Sequence, residues 1–224
     1  MDKTPLVSII IRTKNEEQWI DKCLRRVYKQ DYPHFEVILV DNCSTDNTIN
    51  IAKKYECKII KIKHFNYSKA LNKGIMNSKG KYIVCLSGHC IPKSKNWLWL
   101  LARHFINPKL NVAGVYGRQE PLPNSSDFDK RDLYLLFGLD PKIQVKDPFF
   151  SNANSIIRRD LWLRFPFDEA LEGQEDRAWA KNVLGQNYTI IYDPKASVYH
   201  YHGMQGQDKD RCERNVKIIE MLDK

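Results

Sequence analysis

"VSIIIRTKNEEQWIDKCLRRVYKQDYPHFEVILVDNCSTDNT", residues 7–48, is the stretch whose reading decides the fold. It opens inside a β-branched run (5–11) that reads as a strand. In 16–30, Trp19, Ile20, Cys23, Leu24, Val27 and Tyr28 then recur at helical spacing. Residues 35–41 return to a continuous apolar run ending in Asp41, with Ser44, Thr45 and Asp46 behind it as candidate helix N-caps. Strands that are apolar on both faces, with a helix between them, belong to a parallel sheet covered on both sides.

The alternation continues outward. A short helix (about 47–55) leads to a strand at 57–62, and a further helix at 67–79 is closed by Gly80. "KYIVCLSGHCIP" (81–92) is then a buried strand whose tip is Ser87, Gly88 and His89, stopped by Pro92. The fold class expected is α/β, a doubly wound and mostly parallel nucleotide-binding sheet. Such sheets bind ligands outside the carboxyl ends of their strands. The polar tips then converge by topology: Arg12, Thr13, Lys14 and Asn15 after the first strand, Asp41 and Asn42 after the second, Ser87 to His89 after the fourth.

The second half is less regular. A helix is expected at 97–106 and a strand at 111–119, then a proline-bearing excursion over 120–150 around a short helix. Residues 151–162 read as a short strand turning into a helix, and 172–186 as a helix start. Residues 188–201 hold two strand-like runs broken by Asp193-Pro194. From Gln207 a charged helix carries Val216, Ile219 and Leu222 on one side. The organisation expected is one domain over 1–224, with a nucleotide-binding half at 1–92, a donor-sugar and acceptor half at 93–206 and a C-terminal helix at 207–224.

A chain of 224 residues supports a full core. No apolar run approaches the roughly 20 residues of a membrane span. The N-terminus reads as a core strand rather than a signal peptide. The six cysteines (23, 43, 57, 85, 90, 212) form no C-x-x-C pair, so they are expected to be reduced residues of a cytoplasmic protein, with a zinc cluster as the sharper alternative. The net charge of +9 suits an anionic partner, such as a phosphorylated small molecule or an anionic membrane face. No aromatic RNA-binding motif or base-reading basic helix is present, so nucleic acid is not expected. The oligomeric state is not legible.

The stretch 7–48 also holds Asn-Glu after the first strand, Tyr-Pro before the second, Val-Asp at its end and Ser-Thr-Asp-x-Thr behind it. "LNKGI" (71–75) and "GQEDRAWA" (173–180) follow in order. In these features the chain resembles family 2 glycosyltransferases of the GT-A fold, over roughly residues 5 to 202. The resemblance implies inverting transfer of a sugar from a nucleotide-sugar donor to a saccharide or lipid-linked saccharide acceptor, as in cell-surface polysaccharide synthesis.

In that family the fourth strand usually ends in Asp-x-Asp, which holds a divalent metal on the donor diphosphate. Here Ser87-Gly88-His89-Cys90 stands in its place, similar to the Asp-x-His-Cys of polypeptide N-acetylgalactosaminyltransferases. The resemblance implies that His89 replaces the metal-binding carboxylate. Imidazole is a softer ligand, which favours Mn²⁺ over Mg²⁺. The alternative is a metal-free site with His89 on phosphate. His200 and His202 share one face of a strand, where the family keeps a metal-binding histidine after its Glu-Asp helix.

Asp176 is the implied catalytic base, with Glu175 orienting it or the acceptor. A helix N-terminus stabilises anions, so Asp176 is expected to stay ionised. Asp41 is placed to accept from a base N–H. Arg12, Thr13, Asn15, Ser87 and Gly88 line the same pocket, with Lys69 and Asn72 reaching base or phosphate. Asn152 and Asn154 are expected to bound the donor sugar and Trp179 to stack on the acceptor sugar. Two other functions stay open: a sugar nucleotidyltransferase, disfavoured because "RTKNEE" lacks the glycines of a triphosphate loop, and a catalytically impaired nucleotide-sugar-binding subunit.

Overall fold

The computed structural model describes residues 4–106, 110–201 and 221. Nine strands form one sheet: β1 (Val7–Thr13), β2 (Phe35–Asp41), β3 (Lys58–Lys61), β4 (Tyr82–Ser87), β5 (Cys90–Pro92), β6 (Val112–Pro121), β7 (Lys142–Gln144), β8 (Asn154–Arg158) and β9 (Thr189–His200). The helices are α1 (Ile20–Val27), α2 (Thr48–Ala52), α3 (Tyr67–Met76), α4 (Trp97–Ala102), α5 (Asp127–Leu136), α6 (Arg159–Arg164) and α7 (Glu175–Leu184).

The strand order is β3-β2-β1-β4-β8-β6-β9-β5, with β7 on β9. β3, β2, β1 and β4 run parallel, as the alternating pattern requires. The strand-by-strand burial explains their continuous apolar character. Ile9, Ile11, Val37, Leu39, Val84 and Leu86 face one core, shared with Ile20 and Leu24 of α1 and Trp97 and Leu101 of α4. Ile10, Ile38, Val40, Ile83 and Cys85 face the other, shared with Leu71 and Ile75 of α3 and Trp179 and Val183 of α7. Each such aliphatic side chain contributes roughly 1.5–3 kcal/mol on burial. α3 is started by Asn66, whose side-chain oxygen accepts from the N–H groups of Ser68 and Lys69. Its Gly74 lets the helix lie close on the sheet, because a Cβ there would stand 2.4 Å from Ile10 Cγ2.

The second half mixes directions. β8 is antiparallel to β4 and to β6, while β9 is parallel to β6. An antiparallel strand starts at the edge where its neighbour ends. The start of β8 and the ends of β4, β6 and β9 therefore meet at the same edge as the tips of β1 and β2.

Three elements differ from the sequence expectation. Residues 189–200 form one strand, not two. Asp193-Pro194 marks an irregularity, across which the pairing jumps from Gly117↔Asp193 to Gln119↔Val198. Gly117 permits it, since a Cβ there would fall 1.8 Å from Ala196 O. The run at 81–92 does end at Pro92, but beyond the β4 tip its last residues form a separate strand, β5, antiparallel to β9 with Cys90 opposite His200. The helix expected at 97–106 ends as α4 at Ala102 and tightens into a 3₁₀ turn (Arg103–Ile106). The C-terminal helix expected at 207–224 lies outside the described residues.

Cys23, Cys43, Cys57, Cys85 and Cys90 are free thiols. Burial pushes Cys85 up to about 12 and Cys23 and Cys90 up as well, so these three are neutral core residues. Among the described residues, no helix is long and apolar enough to cross a membrane.

Candidate active site

The order β2-β1-β4 makes the tips of β1 and β4 the topological switch point, the usual place for a ligand in such a sheet. Arg12 pairs with Ser87 across it. Gly88 N donates to Arg12 O, and a Cβ on Gly88 would press on Thr13 Cγ2 at 2.8 Å. Of the four non-glycine residues at positive φ among the described residues, Asn15 (52°), Cys43 (49°) and Gln174 (57°) lie in loops around this edge. Left-handed backbone of this kind collects at functional sites because the surroundings must enforce it.

The loops after β1 and β2 are riveted together. Asn15 N donates to Ser44 Oγ, and Thr45 N donates to Asn15 Oδ1. Asp41 lies beneath them, fully buried. Its carboxylate accepts from Ser44 N, from Ser44 Oγ at 2.5 Å and from Thr13 Oγ1 at 3.5 Å. In this structure the Asp41 carboxylate that was expected to accept from a base N–H is engaged by its own turn. A carboxylate engaged by its own turn and closed to solvent shapes the pocket from below.

A second group forms at the far side of the β4 tip. His89 Nδ1–H donates to Glu16 Oε1 at 2.6 Å, and His200 Nδ1–H donates to Gln119 Oε1 at 2.5 Å. Both partners can only accept, which assigns the tautomers. Gln119 is itself held, its Nε2 donating to Ser151 Oγ. The two Nε2 atoms then face each other 3.0 Å apart, with the rings within 4° of coplanar orientation. The two Nε2 atoms thus stand at hydrogen-bond separation. The strand β5 makes this possible by setting His89 beside His200. Among the described residues no three histidine, cysteine or carboxylate side chains converge as a metal cage. His202 lies outside the described residues.

The third group sits at the start of α7. Gly173 (φ 147°) and Gln174 turn the chain so that Glu175 and Asp176 occupy the first helical turn. Asp176 Oδ2 accepts from Asn152 N and Oδ1 from Arg177 N. Glu175 Oε1 accepts from Asn152 Nδ2 and lies 3.5 Å from Arg12 Nη1. Burial, then the charge of Glu175, raises Asp176 to about 7, against the lowering pull of the two backbone N–H groups and Arg12. The expectation that the helix terminus keeps Asp176 ionised is corrected: desolvation and a like charge outweigh the dipole. The result is a carboxylate poised near neutrality, the range suited to proton acceptance.

Several of the expected ligand residues already have partners inside the fold. Asn72 donates to Phe167 O and Glu169 Oε1 and accepts from Trp162 Nε1 and Phe167 N, so it ties α3 to the 167–169 loop. Asn154 is fully buried, donating to Arg118 O and Ala196 O and accepting from Trp97 Nε1. Trp179 packs on Phe150 and Phe167 at 2% exposure and offers no face to a sugar. Asn152 is buried but bridges to the carboxylate pair. Lys69 is exposed on α3. Glu16 and Gln119 were not singled out from sequence. Glu16 stands in the Asn-Glu pair after β1, and Gln119 is a polar residue near the end of an apolar strand.

Comparison with known proteins gives a consistent result. The family model "Glycosyl transferase family 2" matches residues 8–163. Glycosyltransferase AglE of Haloferax volcanii is 37% identical over 84% of this chain and 64% of its own length. The O-antigen chain rhamnosyltransferase WbaN of Salmonella anatum is 29% identical over 88% of this chain and 67% of its own. Among solved structures, the mannosyltransferase PcManGT of Pyrobaculum calidifontis, in complex with GDP-Man and Mn²⁺, superposes with TM-score 0.70 at 20% identity, over 92% of this chain and 59% of that one. The chain spans from 30% to 67% of the length of the first curated relatives it matches. With the family model matching most of the chain, and the switch-point tips and the Glu-Asp helix assembled at one sheet edge, this chain belongs to glycosyl transferase family 2.

Proposed function

We propose that this chain moves a sugar from a nucleotide-sugar donor to a hydroxyl of a saccharide or lipid-linked saccharide acceptor, with inversion at the anomeric carbon, in cell-surface polysaccharide synthesis. The observation that carries this reading is Asp176, raised to about 7 and held at the switch-point edge by backbone N–H groups. In the reaction the acceptor hydroxyl gives its proton to Asp176 as its oxygen bonds to the anomeric carbon. The bond from that carbon to the diphosphate breaks, and its electron pair leaves with the nucleoside diphosphate. Thr13, Asn15, Ser87 and Gly88 bound the nucleotide side of the edge, and Lys69 reaches toward phosphate. Asp41 acts on the pocket through the 42–44 turn. Similarity to the O-antigen chain rhamnosyltransferase WbaN and to the poly(ribitol-phosphate) β-N-acetylglucosaminyltransferase TarS supports a polysaccharide-type acceptor. The positive net charge suits an acceptor at an anionic membrane surface.

A divalent cation fits the His89–His200 pair. Each imidazole is fixed through Nδ1 by an acceptor, as metal-binding histidines are, and both Nε2 atoms address one point. His89 thus stands in for the carboxylate of Asp-x-Asp, with His202 the further candidate. Imidazole ligands favour Mn²⁺ over Mg²⁺. Bound there, the ion supplies positive charge to the departing diphosphate. The test is a thermal-shift screen of nucleoside diphosphates with and without each metal, followed by turnover of Asp176→Asn with the nucleotide sugar so identified. Near wild-type turnover in that variant overturns the assignment of the base.

A further inference from the structure

Arg12 was expected to touch the nucleotide. Its position points elsewhere. The side chain is 11% exposed, and its Nε and Nη1 are closed to solvent with no hydrogen-bond partner among the described residues. The guanidinium lies over the Tyr67 ring, 5.0 Å from its centroid, with Nη1 3.5 Å from Glu175 Oε1. Atoms closed off in this way do not reach a ligand, but their charge does reach the carboxylates beside them.

We propose that Arg12 is a positioning residue: it supplies the counter-charge to Glu175 and so leaves Asp176 as the member of the pair that takes up the proton. The inference rests on Asp176 being the base. The geometry separates the two acids clearly. Glu175 has the guanidinium and the Asn152 amide on one oxygen. Among the described residues, Asp176 accepts from the backbone N–H groups of Asn152 and Arg177. An ion pair with arginine stabilises the charged form of the acid it meets, while two adjacent carboxylates in a shared site resist holding two charges. The guanidinium therefore acts on Glu175 at ion-pair distance and on Asp176 from beyond it.

Among the described residues, the charged and titratable groups acting on Asp176 are Glu175 on α7, Arg12 on β1 and Cys85 on β4. The Cys85 thiol is neutral, pushed up to about 12 by burial. Among these groups Arg12 is the cation outside α7. Lysine at this place keeps the charge, whereas glutamine removes it and keeps a polar side chain.

The experiment is a carboxyl ¹³C NMR titration of the substrate-free protein, with the Asp176 resonance assigned by its loss in Asp176→Asn and that of Glu175 by its loss in Glu175→Gln. In the wild type the midpoint near neutrality belongs to Asp176. In Arg12→Gln that midpoint moves up by about 1–3 pH units, and titration spreads onto the Glu175 resonance. Arg12→Lys restores the wild-type pattern, and Glu175→Gln moves the Asp176 midpoint down. A merely structural role for Arg12 leaves both resonances in place once the variant is folded. An unmoved midpoint in Arg12→Gln, or a shift in Arg12→Lys as large as that in Arg12→Gln, overturns the proposal. If Arg12→Gln does not fold, Arg12→Lys and Glu175→Gln still decide it: a Glu175→Gln midpoint equal to wild type refutes the coupling. The titration needs no substrate. It therefore stands apart from the base assignment, which fails separately if Asp176→Asn turns over normally.

Discussion

Asp176→Asn should stabilise this protein at alkaline pH while disabling it. The folded carboxyl sits at about 7 against an ordinary value of 3.8. The folded state therefore holds this proton more tightly than the unfolded chain does. Stability from this group is fully present below about pH 4 and is lost as pH rises toward and through 7. At 1.36 kcal/mol per unit, the shift sets an upper limit of roughly 4 kcal/mol. Asparagine removes that burden, but it keeps one carbonyl oxygen where the carboxylate had two, and these two accept from Asn152 N and Arg177 N. Losing one acceptor costs about 1 kcal/mol. The expected net gain is about 1–3 kcal/mol at pH 8, a rise of roughly 2–10 °C in Tm for a chain of this size. At pH 4 the gain should vanish or reverse, because the folded carboxyl is then protonated and the unfolded one, at 3.8, is only partly ionised. Calorimetric melts of the two proteins at pH 4 and 8, checked by urea unfolding, measure this directly. An equal Tm difference at the two pH values, or a loss of stability at pH 8, refutes the placement of Asp176 beside Glu175 in a desolvated site. Turnover of the same variant should fall on the order of 10²-fold or more, the usual cost of a missing general base.

The other groups at this edge respond differently. His89→Ala removes one of two imidazoles and should abolish any strengthening of nucleoside diphosphate binding by Mn²⁺ in calorimetry; full wild-type activity in excess chelator rules the cation out. Metal binding to the wild type should weaken as the pH falls, since imidazole binds metal only when neutral. Asp41→Ala frees Ser44 N and Ser44 Oγ from their buried acceptor, so it should cost roughly 1–3 kcal/mol in both stability and nucleotide affinity; loss of affinity with unchanged stability would restore Asp41 as a direct ligand. Asn72→Leu should destabilise by several kcal/mol, with four partners left unmet around α3 and the 167–169 loop. A folded Asn72→Leu protein that binds nucleotide as wild type confirms its role as a strut.

What could be read from the sequence were the features that period and composition carry. The parallel half of the sheet follows from strands apolar on both faces, and Ile9–Ile10–Ile11 do face two different cores. Tip residues were legible because a parallel sheet delivers the ends of its strands to one edge. The Glu-Asp pair was legible because it opens a helix. The sequence could not assign what each tip residue does there. Asp41, Asn72, Asn154 and Trp179 all have the right chemistry to meet a ligand, and only burial shows that their polar atoms or rings are already engaged inside the fold. β5, three residues long, carries no periodic signal, yet it sets His89 against His200, which lies 111 residues further along the chain. Glu16 and Gln119 fix those two imidazoles across separations no local pattern records. The protonation of Asp176 is likewise a tertiary property. Sequence places it at a helix N-terminus, where the dipole favours charge, but the desolvation and the neighbouring carboxylate that outweigh the dipole exist only once β1, β4, the 151–153 loop and α7 have closed around it.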